Sequence, residues 1–169
     1  MFNHLKQFAK YCPAIILIII IFFSHYKLIM VRGISMFPTF NNNQLLIAKP
    51  INKYQDIKVN DIVVCEIEGN TIIKRVKYIQ NQYVYYYFDS NTSEIKIIDK
   101  NTYQYLSTHP IASNKTLIQK LIVPKDSVYL IGDNLNNSDD SRRFGTIPFN
   151  NIKYKVIHPV IKDSKNEKK

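Results

Sequence analysis

The chain has 169 residues and a formal net charge of +10, from 23 Lys and Arg against 13 Asp and Glu. The basic residues are scattered rather than gathered on one motif, which argues against nucleic acid as a partner and fits a solvated surface attracted to anionic lipid heads. Two distant cysteines, Cys12 and Cys65, exclude a disulfide framework and a cysteine zinc site.

The N-terminus is short and basic, with Lys6 and Lys10. Continuous apolar sequence follows from Pro13 to Phe23. Extended from Phe8 to Tyr26, it approaches the roughly 20 residues that cross a bilayer. No face of the run is polar, unlike a surface helix of a soluble protein. No small-residue cleavage site follows it, so residues 1–30 read as an uncleaved transmembrane anchor. The basic end stays on the inner side and the rest of the chain on the outer side. About 130 residues remain, enough for a single core.

Those residues read as β structure. Gln44–Ala48, Asp61–Ile67, Thr71–Tyr78, Tyr83–Phe88 and Ser127–Ile131 are strand candidates, rich in β-branched and aromatic residues. Gly69-Asn70 is a turn between the second and third. Residues 89–120 are polar and read as a loop or hairpin excursion, with Ile95–Ile98 a short strand. Residues 151–161 make a last strand, and 162–169 a charged tail. Short strands with little helical periodicity predict a mostly β, sandwich- or barrel-like domain over residues 31–161.

Three stretches carry chemistry. The first is Gly33-Ile34-Ser35-Met36-Phe37-Pro38-Thr39, a serine in a stiff apolar turn. A serine hydroxyl needs a base to become a nucleophile. The histidines His4, His25, His109 and His158 have no site-like context, and Cys65 within Ile62–Cys65 reads as a buried thiol. The second stretch is Ile73-Lys74-Arg75-Val76. By alternation Lys74 shares a face with Ile72 and Val76. Desolvation there favours the neutral amine, which can act as a base; the competing reading is a lysine on an exposed strand edge. The third stretch, Gly132 to Gly145, follows a strand and is dense in turn formers. A calcium loop, a plain polar loop and a loop supporting a site are all open, although the central glycine and closing glutamate of an EF-hand are missing.

In this order the three stretches resemble the type I signal peptidase family of Ser/Lys proteases. The matching boxes are Gly33–Thr39, Ile73–Val76 and Gly132-Asp133-Asn134 continuing through Ser138, Asp140, Ser141, Arg142, Phe144 and Gly145, with Asp61-Ile62-Val63 as a shorter motif between. The resemblance implies a signal-peptidase-like antiparallel β domain on one N-terminal transmembrane helix. It implies Ser35 as nucleophile and Lys74 as base, with Ser138 orienting the amine. Asp140 and Arg142 would hold the loop, with Arg75 as a further partner. The Ser35 N–H, with Gly33 beside it, would face the oxyanion, and Met36 would line a pocket for small side chains. Gly33 replaces a hydroxyl that some relatives carry there. Asn60 stands where the family has glycine, and Lys77–Gln82 replaces a glycine-containing turn.

Implied substrates are protein precursors with N-terminal presequences, cleaved without metal or organic cofactor. The single anchor, Arg32-Gly33 and Leu135 look most like the mitochondrial inner membrane peptidase, catalytic subunit 1. That predicts the inner membrane, a domain facing the intermembrane space, contact with membrane lipid and a second peptidase subunit. The alternatives are a compact bacterial type I signal peptidase in the plasma membrane, its domain outside the cytoplasm, and a non-catalytic membrane-anchored β binding domain.

Overall fold

The computed structural model of the protein describes residues 2–89, 92–109 and 116–159, with side chains described from residue 11 onward and not at 116, 158 and 159. The charged tail 162–169 and the end of the last predicted strand lie outside these residues. The chain begins with α1, Phe2–His25, which carries Pro13 inside it. Ile15 to Ile21 are all exposed. Among the described residues no helix is long and apolar enough to cross a membrane.

The strands that follow are β1 (Lys27–Met30), β2 (Leu45–Pro50), β3 (Ile62–Ile67), β4 (Asn70–Ile79), β5 (Tyr83–Asp89) and β6 (Glu94–Ile98). Helix α2 (Lys100–Thr108) precedes β7 (Thr116–Ile122) and β8 (Ser127–Ile131). A single turn, α3 (Ser141–Phe144), leads to β9 (Ile147–Pro148) and β10 (Ile152–Pro159). One sheet has the order β1-β2-β10-β3-β4-β8-β9 and a second the order β6-β5-β7, with every described pairing antiparallel.

The predicted mostly β domain is therefore present, but residues 89–120 are more structured than a loop. Helix α2 is capped by Asp99, whose side chain accepts from the N–H groups of Asn101 and Thr102. It buries no residue, so no apolar stripe announces it. β1 falls inside the segment read as anchor because Lys27-Leu28-Ile29-Met30 continues its apolar character.

β8 explains how the two sheets meet. All five of its residues are buried. Val128 and Leu130 join a core with Val63, Cys65, Val76 and Ile152. Tyr129 and Ile131, on the other face, pack with Val84 and Val123 of the small-sheet region. A strand covered on both faces loses the usual alternation and reads as an apolar run. Its C-terminal end, Ile131, delivers the chain to Gly132 at the centre of the molecule.

Two turns place an asparagine in the left-handed region. Asn60 has φ +74° and Asn81 φ +66°. Asparagine tolerates this left-handed region better than other side-chain-bearing residues. The Asn60 N–H donates to Val76 O at 2.8 Å and the Asn81 N–H to Val123 O at 2.9 Å, so both turns are tied into the fold.

Candidate active site

Ser35 sits in a turn just after β1. Phe37 N–H donates to Ile34 O and Phe40 N–H to Met36 O, closing the turn. Its apolar side chains explain its position: Met36, Phe40, Val31 and Leu46 form one buried cluster. Met36 is 1% exposed. The side chain predicted to line a pocket is thus the floor that pins the turn, worth roughly 1.5–3 kcal/mol of apolar burial. Gly33 is exposed with φ +89°, and its N–H donates to Asn42 Oδ1 at 2.9 Å.

Lys74 lies in the middle of β4, opposite Val63 of β3. It is 4% exposed and shares its face with the fully buried Val76, as alternation predicts. Its Nζ donates to Ser35 Oγ at 2.7 Å. No carboxylate pairs with it among the described residues. Burial pushes the Lys74 pKa down, while the charges of Asp140, Cys65 and Asp139 oppose that shift. Cys65 is an inert thiol beside it, pushed up to about 12 by burial although Lys74 works the other way.

The loop after β8 closes around this contact. Asn134 N–H donates to Ser35 O at 3.0 Å, and Asn134 Nδ2 donates to Ile34 O at 3.1 Å. Gly132 makes the approach possible. A Cβ there would lie 2.1 Å from Ser138 Oγ and 2.7 Å from Ser35 O. Ser138 Oγ is buried; it makes no bond to the Lys74 amine and lies near the Asp140 carboxylate, which it helps hold below the usual range. The predicted bond from Ser138 to the Lys74 amine is absent from this structure; the amine instead meets Ser35.

Asp140 is buried, 1% exposed. Burial alone would raise its carboxyl pKa, but Arg142 and the Gly132 N–H outweigh that and hold it below the usual carboxylate range. Arg142 Nε donates to Asp140 Oδ1 at 2.8 Å and Nη2 to Oδ2 at 2.9 Å. Arg75 does not join this pair. It points to the opposite side of β4 and grips Asp133 instead, with Nε to Oδ1 at 2.8 Å and Nη2 to Oδ2 at 2.6 Å. Arg75 also donates to Asn60 O and Thr39 Oγ1. The three carboxylates of the loop, Asp133, Asp139 and Asp140, thus face Arg75, Arg143 and Arg142, the arrangement of a supporting loop rather than a calcium loop.

Asp133, Asn134, Thr39 and Ser141 had no assigned role from sequence. Ser141 Oγ accepts from Leu130 N–H at 2.8 Å, tying the loop back to β8. All four lie inside the stretches that carry the resemblance, which set them near Ser35 without giving them a role. Among the described residues no group of His, Cys, Asp and Glu is placed to hold a metal ion.

The family model described as signal peptidase, peptidase S26, matches residues 4–161. The mitochondrial ATP-independent inner membrane protease subunit 1b of Arabidopsis thaliana is 32% identical over 130 residues, covering 74% of this chain and 64% of that protein. The chain therefore spans less than two thirds of that relative. Signal peptidase I V of Bacillus subtilis is 31% identical over 139 residues, covering 77% of this chain and 81% of that protein. Mitochondrial inner membrane protease subunit 1 of Mus musculus is 28% identical over 136 residues, covering 78% and 68%. The crystal structure of a signal peptidase I from Enterococcus faecalis V583 superposes with a TM-score of 0.40 at 22% identity, covering 64% of this chain and 99% of that one. A family match running through all three boxes and the strands between them leads to one conclusion: the chain belongs to the signal peptidase family, peptidase S26.

Proposed function

We propose that the protein is a membrane-anchored serine endopeptidase that removes N-terminal signal or sorting sequences from translocated precursors, with Ser35 as nucleophile and Lys74 as general base. The observation that carries this reading is the 2.7 Å contact between Ser35 Oγ and a buried lysine amine with no carboxylate partner. With the amine neutral, the same contact serves with the hydroxyl as donor. The Lys74 amine takes the Ser35 proton as Oγ attacks the scissile carbonyl. It then gives that proton to the leaving amine and later activates the water that hydrolyses the acyl-enzyme.

The Ser35 N–H donates to no other group among the described residues and is the donor for the developing oxyanion. One such donor is typically worth roughly 3–4 kcal/mol. Gly33 contributes backbone only. Ser138, Asp140 and Arg142 shape the loop behind the amine, and Arg75 fixes its start through Asp133. Helix α1, with its exposed isoleucines, is the anchor that keeps the site at a lipid surface.

The names of the subunit 1 relatives support a mitochondrial inner membrane setting with a second peptidase subunit as partner, and the basic N-terminus before the apolar run favours the β domain on the intermembrane-space side. The fuller coverage of the Bacillus subtilis peptidase supports a bacterial plasma membrane as the second reading. Fractionation of cells expressing the tagged chain separates the two. For the chemistry, Ser35→Ala and Lys74→Ala should each abolish cleavage of a presequence-bearing precursor in detergent. Full activity in either variant ends the proposal.

A further inference from the structure

Lys74 has no carboxylate partner among the described residues, yet a buried carboxylate stands close by. Asp140 is held in its ionised form, and it is the strongest of the charges that act on the Lys74 amine, ahead of Cys65 and Asp139. Gly132 is the neighbour that Asp140 and the serine turn share. Its N–H donates to Asp140 Oδ2 at 3.0 Å, and a Cβ on it would lie 2.7 Å from Ser35 O. Lys74 Nζ meets Oγ of the same serine at 2.7 Å. An ionised carboxylate in a protein interior draws on any cation within reach, and an ammonium paired with one is a poor base. The site avoids that pairing.

Arg142 takes both oxygens of Asp140, with Nε to Oδ1 at 2.8 Å and Nη2 to Oδ2 at 2.9 Å. Its backbone N–H adds a bond to Oδ1 at 3.2 Å. Nη2 also donates to Ser138 O at 3.3 Å, which fixes the guanidinium to the loop that carries Asp140. The other groups around the amine and the carboxylate do not alter this balance. Cys65, on β3, keeps its proton, its thiol pushed up to about 12 by burial. Tyr129, on β8 beside Asp140, is likewise held neutral by burial. Ser35 and Ser138 bring hydroxyls without charge. Asp139 is exposed, and Arg143 holds it at 2.9 Å. Asp140 is therefore the one buried anion acting on Lys74 among the described residues, and Arg142 is its counter-charge.

We propose that Arg142 is a positioning residue for the reaction: by holding both oxygens of Asp140 it keeps that carboxylate from claiming the Lys74 amine, and so leaves the amine free to take the Ser35 proton. The proposal rests on the peptidase reading above. It gives Arg142 a role beyond holding the loop, because a neutral side chain can brace the loop but cannot offset the charge.

The test is the pH dependence of kcat/KM on a presequence-bearing precursor, with the full chain in detergent micelles. In wild type the rate rises with pH as the amine loses its proton. Arg142→Gln should move that rising limb about one pH unit to the alkaline side, the scale of one opposite charge acting on a neighbouring group. On the limb this is about a tenfold loss, recovered at higher pH. Asp140→Asn leaves the Arg142 cation unopposed and should move the limb to the acid side. The Arg142→Gln/Asp140→Asn double variant should return it to the wild-type position, and Arg142→Lys should hold it there. Added salt should not erase the shifts, because buried charges are poorly screened. Arg143→Gln, which releases the exposed Asp139, should move the limb far less. A limb that stays in place while the rates fall assigns Arg142 to bracing alone and overturns the proposal. Shifts of the same sign in the two single variants, or a double variant that does not return, overturn it too. If Arg142→Gln does not fold, Asp140→Asn decides: an acid shift supports the proposal and an unmoved limb overturns it. Cleavage that survives Ser35→Ala instead defeats the underlying peptidase reading.

Discussion

The two faces of β4 treat neighbouring cations in opposite ways. Lys74 is buried against Ser35 and has no carboxylate partner, whereas Arg75, next in sequence, holds Asp133 in a two-pronged grip. Burial lowers the pKa of the first. The bond to Asp133 raises that of the second, against the smaller effect of burial. A charge denied a partner is reactive; a charge given one is structural. The strand thus separates base from scaffold by one residue, through alternation alone.

The sharpest way to break this comparison is Lys74→Met. The change should lower kcat/KM by about 10³-fold or more, the scale of losing a general base. It should also raise thermal stability by about 1 kcal/mol, because an unpaired buried amine opposes folding. The sign is fixed by linkage. The folded pKa lies below the ordinary 10.5, so between that lowered value and 10.5 the unfolded chain binds more protons and stability rises with pH. Lys74→Met should flatten this alkaline-side rise, measured by urea titration across pH 7 to 10. In wild type, kcat/KM should rise with pH through the lowered Lys74 value as the amine loses its proton. A clearly destabilised Lys74→Met would mean that the lysine is scaffold after all.

Next in size is Gly132→Ala. The added Cβ would meet Ser138 and the Ser35 carbonyl, so the loop must retreat from the serine. A displacement of about 1 Å is enough for about 10²-fold in activity, with roughly 1–3 kcal/mol lost from stability. Wild-type kinetics in this variant would show that the close approach is dispensable.

The smallest effect on chemistry belongs to the other face. Asp133→Asn leaves the Arg75 guanidinium with a weakened partner and should cost about 1–3 kcal/mol of stability, with only a several-fold loss of activity. Burial tends to raise the Asp133 carboxyl pKa, but Arg75 and Thr39 outweigh it and hold the value below the usual range. Its contribution is therefore present above the ordinary carboxylate pKa and lost as pH falls through the lowered one. Thermal melts from pH 6 down to pH 3 should show a shallower acid limb in Asp133→Asn than in wild type. If activity falls as far as in Lys74→Met, the two faces are not separable.

Much of this was legible in the linear chain because the determinants are local. Lys74 amid Ile72, Ile73 and Val76 already specifies a buried amine, since a strand alternates its faces. Ser127–Ile131 announces a strand through five adjacent residues that all favour burial. Helix α2 was not legible: it buries nothing, and only the Asp99 cap marks its start. β7 was missed because Thr116–Ile122 sits in polar surroundings and gains its place by pairing with β5, not from its own pattern.

The sequence by itself determined a mostly β domain after an apolar N-terminal segment, a serine in a rigid turn, and an amine on an apolar strand face. These follow from side-chain chemistry within a few residues. Only the tertiary structure decided which partners meet. It set Ser35 2.7 Å from Lys74, gave Arg75 to Asp133 rather than Asp140, buried Met36 as a floor, and placed Ser138 Oγ by Asp140 rather than on the Lys74 amine. Ser35 and Lys74 are 39 residues apart in the chain, and Arg75 and Asp133 are 58 apart. Their distances depend on how β4, β8 and the serine turn pack together, and no local pattern encodes that.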